Sequence, residues 1–245
     1  LNLSTIDCRH LMLSTLDRKK AQDLVKSYRY IDYNLFGTVT GRLTTRPGSF
    51  PILTLKKEFR KLLKPHNDLF VALDYNGAEV RMFLDLAGQD QPDYDIHDWN
   101  VRNVFANALT RAEAKVEFFG WLYNSLEHPA LGAIYDKAKV LDEWYGGEYI
   151  TTPYQRKISV DDFRALNYLI QSTTADRVLS KAVIIDKMLE DRKSFVSHIL
   201  HDEIVVDFSD EDRDIIMDVK AVFEDGYLAT MKAGKNYFEL SELGL

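Results

Sequence analysis

Two aspartates occupy positions in the sequence where an isolated carboxylate is costly. Asp74 follows the four apolar residues 70–73, and Asp202 lies between the two apolar arms of the segment 194–208. A buried carboxylate needs a hydrogen-bonding, charged or metal partner. If both aspartates lie at the ends of neighbouring strands, they could share Mg²⁺, which proteins bind through one or two carboxylates together with substrate phosphates. Two such ions about 4 Å apart would stabilise the attacking and leaving oxygens of an in-line phosphoryl displacement. The alternative is that each aspartate only caps a turn.

A second candidate for chemistry is a stripe of cations and aromatic rings in the segment TRAEAKVEFFGWLYN, residues 110–124. A four-residue step advances only about 40° around a helix, so one face would carry Arg111, Lys115, Phe119 and Tyr123. Thr110 and Glu113 form a capping-box pattern, which predicts that the helix begins at Arg111. The free N–H groups and the positive dipole end would then lie beside the two cations and favour phosphate. The stripe therefore indicates an anionic group at its start and a flat or apolar group at its end.

The elements that must position these residues can be predicted from the apolar pattern and the capping residues. The run 70–75 predicts a buried strand. The next helix has Asn76 as its predicted N-cap, Glu79 three residues later and Gly88 as its stop signal. Nearer the N-terminus, residues 14–29 predict a helix capped by Ser14 or Thr15, and residues 34–53 predict an irregular loop. Residues 161–190 predict a long helix that contains breaks. Residues 194–208 then predict a strand pair with His201 and Asp202 at its turn, followed by a helix from Ser209 to about residue 225. This order predicts an α+β fold in which helices cover one face of a sheet.

Composition narrows the class of protein. With 245 residues, of which 46% are hydrophobic, the chain is long enough for one large domain or two small ones. The net charge of −7 excludes the global basic field of many nucleic-acid binders, although bases cluster at 55–66. Cys8 is the only cysteine, which excludes an intrachain disulfide and a thiolate metal site. No apolar run approaches the roughly 20 residues of a membrane span and no signal peptide is visible, so we expect no membrane partner and a cytoplasmic setting.

Several segments resemble, in order, the motifs of the family A DNA polymerases, the DNA polymerase I type. DYNGAEVR (74–81) resembles motif A, usually DYSQIELR, and RAEAKVEFFGWLYN (111–124) resembles motif B, RxxxKxxxFGxxYG. LHDE (200–203) resembles motif C, VHDE, and TGRLTT (40–45), DIH (95–97) and NYLIQSTTAD (167–176) also match family elements. The resemblance spans about residues 36–210. It implies an α+β polymerase palm, an antiparallel sheet covered by helices, with a helical fingers insertion.

The same resemblance implies a division of the chain. An N-terminal helical segment or thumb remnant would occupy residues 1–35, and a first part of the palm with motif A would occupy 36–95. The fingers would occupy 96–160, and the second part of the palm, with the motif C hairpin and a C-terminal helix, would occupy 161–245.

The resemblance assigns the chemistry to the two aspartates. Asp74 and Asp202 would be the metal-binding residues, and the backbone carbonyl of Tyr75 would complete a coordination sphere. The implied cofactor is a pair of Mg²⁺ ions, for which Mn²⁺ could substitute, acting on the primer 3′-OH and on the triphosphate. Lys115 would protonate the leaving group, and Glu203 would support the metal site. The implied activity is nucleotidyl transfer from a dNTP to the 3′-OH of a DNA primer–template.

The remaining matched positions are implied to bind the substrates. Around the nucleotide, the resemblance places cations on the triphosphate, an aromatic ring on the sugar and base, a residue that closes the base-pair pocket, and a steric gate against the ribose 2′-OH. Arg111 and Lys115 match the cations on the triphosphate, and Phe119 matches the ring on the sugar and base. Tyr123 would close the base-pair pocket, and Glu79 would be the steric gate. His97 would also lie in the nucleotide site. The alternative for Glu79 is a capping-box partner of Asn76. On DNA, Arg42, Asn167 and Gln171 resemble residues that read minor-groove acceptors, and His201 would contact the primer terminus.

The sequence departs from the family pattern at several points. Asn124 replaces the Gly that closes motif B, and Gly77 stands where the family often has Gln. The segment between Tyr123 and Asn167 is shorter than in bacterial enzymes, which predicts compact outer fingers and suggests a phage or viral source. The segment before residue 36 is too short for a thumb and a proofreading exonuclease. We therefore expect a fragment whose grip on DNA comes from missing polymerase domains or from a processivity partner.

Two other functions stay open from the sequence. A single-subunit RNA polymerase shares the palm and a similar motif B, although Glu79 and Glu203 argue against it. A non-enzymatic nucleic-acid-binding module, inactive without its missing domains, is the other alternative. Lys and Arg contacts dominate affinity for nucleic acid, and the acidic net charge of this chain contributes little to it.

Overall fold

The computed structural model describes residues 1–4, 15–124 and 127–243, except for the side chain of residue 15. Its helices are α1 (Thr15–Ser27), α2 (Ala78–Leu86), α3 (Ile96–Asn103), α4 (Arg111–Tyr123), α5 (Pro129–Ile134), α6 (Lys137–Trp144), α7 (Asp162–Met188) and α8 (Ile216–Glu224). Its strands are β1 (Asn2–Leu3), β2 (Tyr33–Asn34), β3 (Thr44–Thr45), β4 (Leu63–Lys64), β5 (Leu69–Tyr75), β6 (Tyr149–Thr151), β7 (Lys157–Ser159), β8 (Phe195–Leu200), β9 (Glu203–Phe208), β10 (Ala229–Gly234) and β11 (Ser241–Glu242). Short 3₁₀ helices lie at Ile52–Thr54, Lys57–Leu62 and Asp210–Ile215.

Among the described residues the largest sheet has five antiparallel strands in the order β11-β10-β5-β9-β8. The central strand β5 carries the apolar run that predicts a buried strand, and its residues 70–73 are buried. The predicted strand pair is also present as β8 and β9, joined by a turn at residues 201–202. Since β5 pairs with both β9 and β10, the ends of these strands bring together parts of the chain that are far apart in sequence.

The register of the strands decides which side chains share a face of this sheet. Residues directly opposite each other on antiparallel strands point to the same face. Asp74 lies opposite Glu203 on β9 and opposite Thr230 on β10, while Lys232 lies opposite Ala72. Because side chains alternate along a strand, Ala72 and Asp74 point to the same face. Glu203, Thr230 and Lys232 therefore lie on the same face as Asp74.

The other face of the sheet is covered by helices. α2, α7 and α8 share the larger hydrophobic core with the inward side chains of the central strands, Val71, Leu73, Ile204 and Val206. A smaller core on the polar face joins residues of β5 and β9 to α1 and to the 3₁₀ helix at 57–62; it includes Phe70, Ala72, Val205, Phe59 and Leu24. The predicted α+β fold, with an antiparallel sheet covered by helices, is confirmed.

The segment between the two halves of the sheet is mainly helical. α3 packs against α4, and the short helices α5 and α6 and the β6–β7 hairpin lead into α7. The breaks predicted in the long helix are absent, because α7 runs without interruption from Asp162 to Met188. None of the helices in the described ranges combines the length and apolar character needed to span a bilayer.

The predicted start and the predicted stop of α2 differ in outcome. The predicted N-cap Asn76 is wrong: α2 has Gly77 as its N-cap, in a left-handed conformation with φ 67°. The Asn76 side chain instead accepts from the Ile96 N–H at 2.8 Å and donates to Asp95 at 2.6 Å, so tertiary partners outcompete the local cap. The predicted stop is confirmed, since Gly88 follows the last turn of α2 with φ 63°. The predicted cap Ser14 lies outside the described residues, and α1 begins at Thr15.

The two left-handed glycines of this region give a matched stability test. A Cβ at Gly77 would lie 2.4 Å from Ile96 Cγ2, whereas a Cβ at Gly88 would meet no atom within 4 Å. Both Gly→Ala changes carry the left-handed cost of about 1–2 kcal/mol, and Gly77→Ala adds an overpacking cost of about 1–3 kcal/mol. We expect urea unfolding to show a clearly larger loss of stability for Gly77→Ala than for Gly88→Ala. Equal losses would contradict the close approach of Gly77 to α3.

Candidate active site

The β8–β9 turn brings carboxylates from distant parts of the sequence to one end of the sheet. His201 and Asp202 form the turn, and His201 adopts φ 56°, a left-handed conformation that is uncommon for a residue with a side chain. Glu203 begins β9 directly opposite Asp74, so Asp202 is the next residue along. The predicted convergence of Asp74 and Asp202 at the ends of neighbouring strands is therefore seen in the fold.

These carboxylates repel one another and are poorly solvated. Burial, together with the charges of Asp202 and Glu203, raises the pKa of Asp74 to about 7. Burial also raises the pKa of Asp202 and that of Glu203. Across residues 15–124 and 127–243, no ion pair shorter than 4 Å involves any of the three. The cluster thus has a negative charge that lacks a close counter-ion.

The donor set fits a hard divalent cation that shares its coordination with a substrate. In the described part of the chain no group of three or more His, Cys, Asp or Glu side chains is arranged to hold a metal. Two carboxylates without a cationic partner match the way Mg²⁺ is bound by one or two carboxylates plus phosphates, rather than by an all-protein cage. The Tyr75 side chain turns to the helical face, where its ring stacks on Phe223 at 4.1 Å and its hydroxyl donates to the Phe223 carbonyl. Only the backbone of Tyr75 is therefore available to a metal.

A cavity of about 680 Å³ lies over Asp74 and Asp202, whereas Glu203 does not line it. Most of the predicted site residues line it: Arg42, Asp74, Tyr75, Glu79, His97, Arg111, Lys115, Phe119, His201 and Asp202. Thr230, Lys232 and Glu242 extend the lining from β10 and β11. The cavity therefore has an acidic floor on the sheet and a wall formed by α4.

The stripe on α4 is present as predicted. The Thr110–Glu113 capping box forms in full, and the helix begins at Arg111. Phe119 and Tyr123 stack with ring centroids 5.9 Å apart and planes 18° apart. Arg111, Lys115 and Phe119 face the cavity, whereas Tyr123 does not line it.

Glu79 is held by side chains from two other segments. Arg42 Nη2 lies 2.5 Å from Glu79 Oε1, and the Tyr123 hydroxyl donates to Glu79 Oε2. Glu79 is therefore not a capping-box partner of Asn76, and that alternative is wrong. The three side chains form a bridge between the TGRL segment, α2 and the end of α4.

His97 is a buried histidine beside the α4 wall. Burial, which outweighs the nearby charge of Asp95, lowers the pKa of His97 to about 4, so the imidazole is neutral at pH 7. Its ring lies 6.1 Å from that of Phe119. His97 Nδ1 is buried and has no hydrogen-bond partner among the described residues.

Two predicted DNA-binding residues lie away from the cavity. Asn167 and Gln171 are half-buried on α7 and do not line the cavity. They occupy the same helical stripe as Thr174 and Val178, which do line it. Their predicted contact with DNA is untested by this arrangement.

Some residues of the site escaped prediction because they contact it from a distance in sequence. The Tyr237 hydroxyl donates to Glu203 Oε1, and the Tyr237 ring lies under the Arg60 guanidinium at 4.9 Å. Arg81, wholly buried, donates to the carbonyls of Asn76, Pro92 and Tyr94. A sequence signal for Lys232 exists: apolar and polar residues alternate in the segment ATMK, residues 229–232, as they do in a half-buried strand. This alternation places Lys232 on the polar face of β10.

Comparison with known proteins supports the fold. No protein-family model matches the sequence, and neither does any curated protein. Among solved structures, the chain is similar to the POL domain of Pol1 from M. smegmatis in complex with DNA primer-template and dNTP, with a TM-score of 0.70 and 16% sequence identity. The alignment covers 91% of this chain and 52% of that chain, so this chain spans about half of its length. The chain therefore has the fold of a polymerase domain, which confirms the predicted fold class.

The raised pKa of Asp74 gives a pH-dependent stability test. A carboxyl whose folded pKa of about 7 exceeds its unfolded value of 3.8 favours folding when protonated, and this contribution is lost as the pH rises from about 4 through 7. In EDTA, Asp74→Asn should be as stable as wild type near pH 4 and more stable by roughly 2 kcal/mol at pH 8, after allowance for solvent screening. Thermal unfolding across this range measures the difference. The exposed Asp90→Asn variant should show no such trend, and a flat difference for Asp74→Asn would contradict the repulsive cluster.

Proposed function

We propose that this chain is the palm and fingers region of a DNA-directed DNA polymerase of the family A type, which transfers a nucleotidyl group from a dNTP to a primer 3′-OH. The observation that carries the proposal is one cavity with Asp74 and Asp202 on its floor and Arg111, Lys115 and Phe119 on its wall. The polymerase-like fold supports it. The same proposal includes membership of family A and domain boundaries at residues 35, 95 and 160. It also includes a phage or viral source, which the short connection between α4 and α7 suggests.

The acidic floor is the proposed metal site. Asp74, Asp202 and the backbone carbonyl of Tyr75 would hold two Mg²⁺ ions, or Mn²⁺ in their place. When bound there, such ions lower the pKa of an attacking hydroxyl and neutralise charge on the transferred phosphate. Glu203, which accepts a hydrogen bond from Tyr237 and lies directly opposite Asp74, would support this metal site.

The α4 wall is the proposed nucleotide site. Arg111 and Lys115 bind the triphosphate, and Lys115 donates a proton to the leaving pyrophosphate. Neutral His97 can donate a hydrogen bond to a phosphate oxygen without adding charge. Phe119 provides an apolar surface for the sugar and base, and Tyr123 supports the pocket through Glu79.

Primer–template would approach from the open side of the cavity. His201, exposed at the β8–β9 turn, is the proposed contact for the primer terminus. Arg42, Asn167 and Gln171 are the proposed minor-groove contacts. Since the chain spans about half of the structure it resembles, further polymerase domains or a processivity partner are proposed to provide additional grip on DNA.

Primer extension tests the central assignment. With a primer–template, dNTPs and Mg²⁺, Asp74→Ala and Asp202→Ala should each reduce the rate by about 10³-fold or more, because each removes a ligand worth several kcal/mol of charge stabilisation. The exposed Asp90→Ala variant serves as the control and should keep wild-type activity. Extension that survives both active-site changes would refute the assignment. DNA binding without extension by the wild type would favour a non-enzymatic binding module.

Sugar selection separates a DNA polymerase from an RNA polymerase. Glu79 is held rigidly by Arg42 and Tyr123, so its carboxylate can crowd a ribose 2′-OH without moving aside. We expect wild type to prefer dNTPs, and Glu79→Ala to reduce the dNTP/rNTP ratio of kcat/KM by about tenfold or more. Glu143→Ala, an exposed change on α6, should leave the ratio unchanged. A wild-type preference for rNTPs would instead support the RNA polymerase alternative.

A further inference from the structure

Asp95 accepts hydrogen bonds from three separate parts of the chain. Arg111 donates to both carboxylate oxygens, from Nε at 3.0 Å and from Nη2 at 2.6 Å. Asn76 Nδ2 donates at 2.6 Å, and the backbone N–H groups of His97 and Asp98 donate at 2.9 and 3.0 Å. Burial alone would raise the pKa of Asp95, but the bonds from Arg111 and Asn76 hold it well below its ordinary value. The group is therefore a permanent anion at neutral pH.

Asp95 is also fixed relative to the end of β5. Asn76 lies two residues after Asp74, and its backbone N–H donates to the Leu228 carbonyl at 2.9 Å. Buried Arg81 joins the Asn76 carbonyl to the segment just before Asp95. A short series of hydrogen bonds thus connects the strand that carries Asp74 to the carboxylate that holds Arg111.

The geometry of the ion pair leaves part of Arg111 available. The guanidinium carries five N–H groups, and a side-on pair through Nε and Nη2 uses two of them. Within the described ranges Nη1 has no partner, and about half of the Arg111 side chain is exposed. A carboxylate on one edge fixes the plane of a side chain that would otherwise sample many rotamers, and the opposite edge can bind a phosphate oxygen.

We propose that Asp95 is a positioning residue for nucleotide binding: it holds the Arg111 guanidinium by one edge, at a set distance from Asp74, so that the other edge meets the triphosphate. This inference rests on the proposed function. It also has a direct competitor, in which Asp95 occupies Arg111 and must be displaced before phosphate can bind. The two predict opposite effects of weakening the pair.

Asp95→Asn is the direct test, because Asn keeps the N-cap of α3 and removes the charge. In single-nucleotide extension we expect KM for the dNTP to rise about tenfold, with kcat within about twofold of wild type, since the change loosens a substrate-binding group and leaves the acidic floor intact. Asp98→Asn is the matched control: it removes a charge of the same sign from the same helical turn, and Asp98 acts on Arg111 through its charge but forms no hydrogen bond or ion pair with it. This variant should keep KM close to the wild-type value. An unchanged or lower KM in Asp95→Asn, or a fall in kcat alone, would overturn the proposal.

A double-mutant cycle shows whether Asp95 acts through Arg111. In the Arg111→Ala background, Asp95→Asn should change KM by less than about twofold, because the group that it positions is gone. Arg111→Lys leaves Asp95 and its capping bonds in place but cannot form the side-on pair, so it should raise KM as Asp95→Asn does. Additive effects of Asp95→Asn and Arg111→Ala would refute positioning. A wild-type KM in Arg111→Lys would also refute it, and that measurement remains possible even if Asp95→Asn fails to fold.

The failure of this inference can be told apart from failure of the proposed function. Equilibrium dialysis with a labelled dNTP and Mg²⁺ measures Kd for the same variants without requiring turnover. A wild-type chain that binds dNTP but extends no primer would refute the polymerase activity, while a weaker Kd in Asp95→Asn and an unchanged Kd in Asp98→Asn would still support positioning. Equal Kd values for wild type and Asp95→Asn would refute positioning whatever the activity.

Discussion

The pairing of β5 with β9 imposes the constraint on which the site depends. Leu73 opposite Ile204, and Val71 opposite Val206, bury apolar side chains against the helical layer, and the same register sets Asp74 opposite Glu203. A shift of one residue would turn the apolar side chains outward, so the core holds the register although the carboxylates repel each other. Part of the stability gained by apolar burial therefore offsets an electrostatic cost concentrated at one end of the sheet.

The position of α4 relative to that sheet is fixed at both ends by polar contacts. At its start Arg111 is bound to Asp95, and at its end Tyr123 is bound to Glu79. Both anions belong to the segment that follows β5, one at the start of α2 and one just before α3. The apolar side of α4 packs on α2 through Trp121 and Phe83, and Phe118 and Trp121 also contact Tyr135, the residue that follows α5. Apolar packing keeps the helix against its neighbours, and the directional bonds decide where along the cavity its cations stand.

Local signals were sufficient to predict the parts of the fold that depend on local chemistry. The apolar run of β5, the hairpin around His201 and Asp202, the capping box at Thr110 and the stop at Gly88 each follow from residues within a few positions. Asn76 failed as a cap because Asp95 and Ile96, about twenty positions away, supply partners that no local pattern contains. Tyr237 was missed for the same reason, since its partner Glu203 lies 34 positions earlier. Similarity to a polymerase domain supports the architecture but leaves the role of each site residue to experiment.

The charged groups of the cavity fall into two classes, and the division indicates where ligands belong. Glu79 and Glu203 are each held by a partner from another element, which makes them parts of the frame, while Arg111 is held by Asp95 along one edge of its guanidinium only. Asp74, Asp202 and Lys115 form no ion pair with the described residues. Lys115 is exposed, whereas Asp74 and Asp202 are partly buried, and a desolvated charge without a partner is unfavourable. The charges that would satisfy them are a cation over the aspartates and an anion beside Lys115. Under the proposed function a metal-bound triphosphate would present both charges at once and at a short separation, so the two aspartates and Lys115 favour a ligand of that charge pattern.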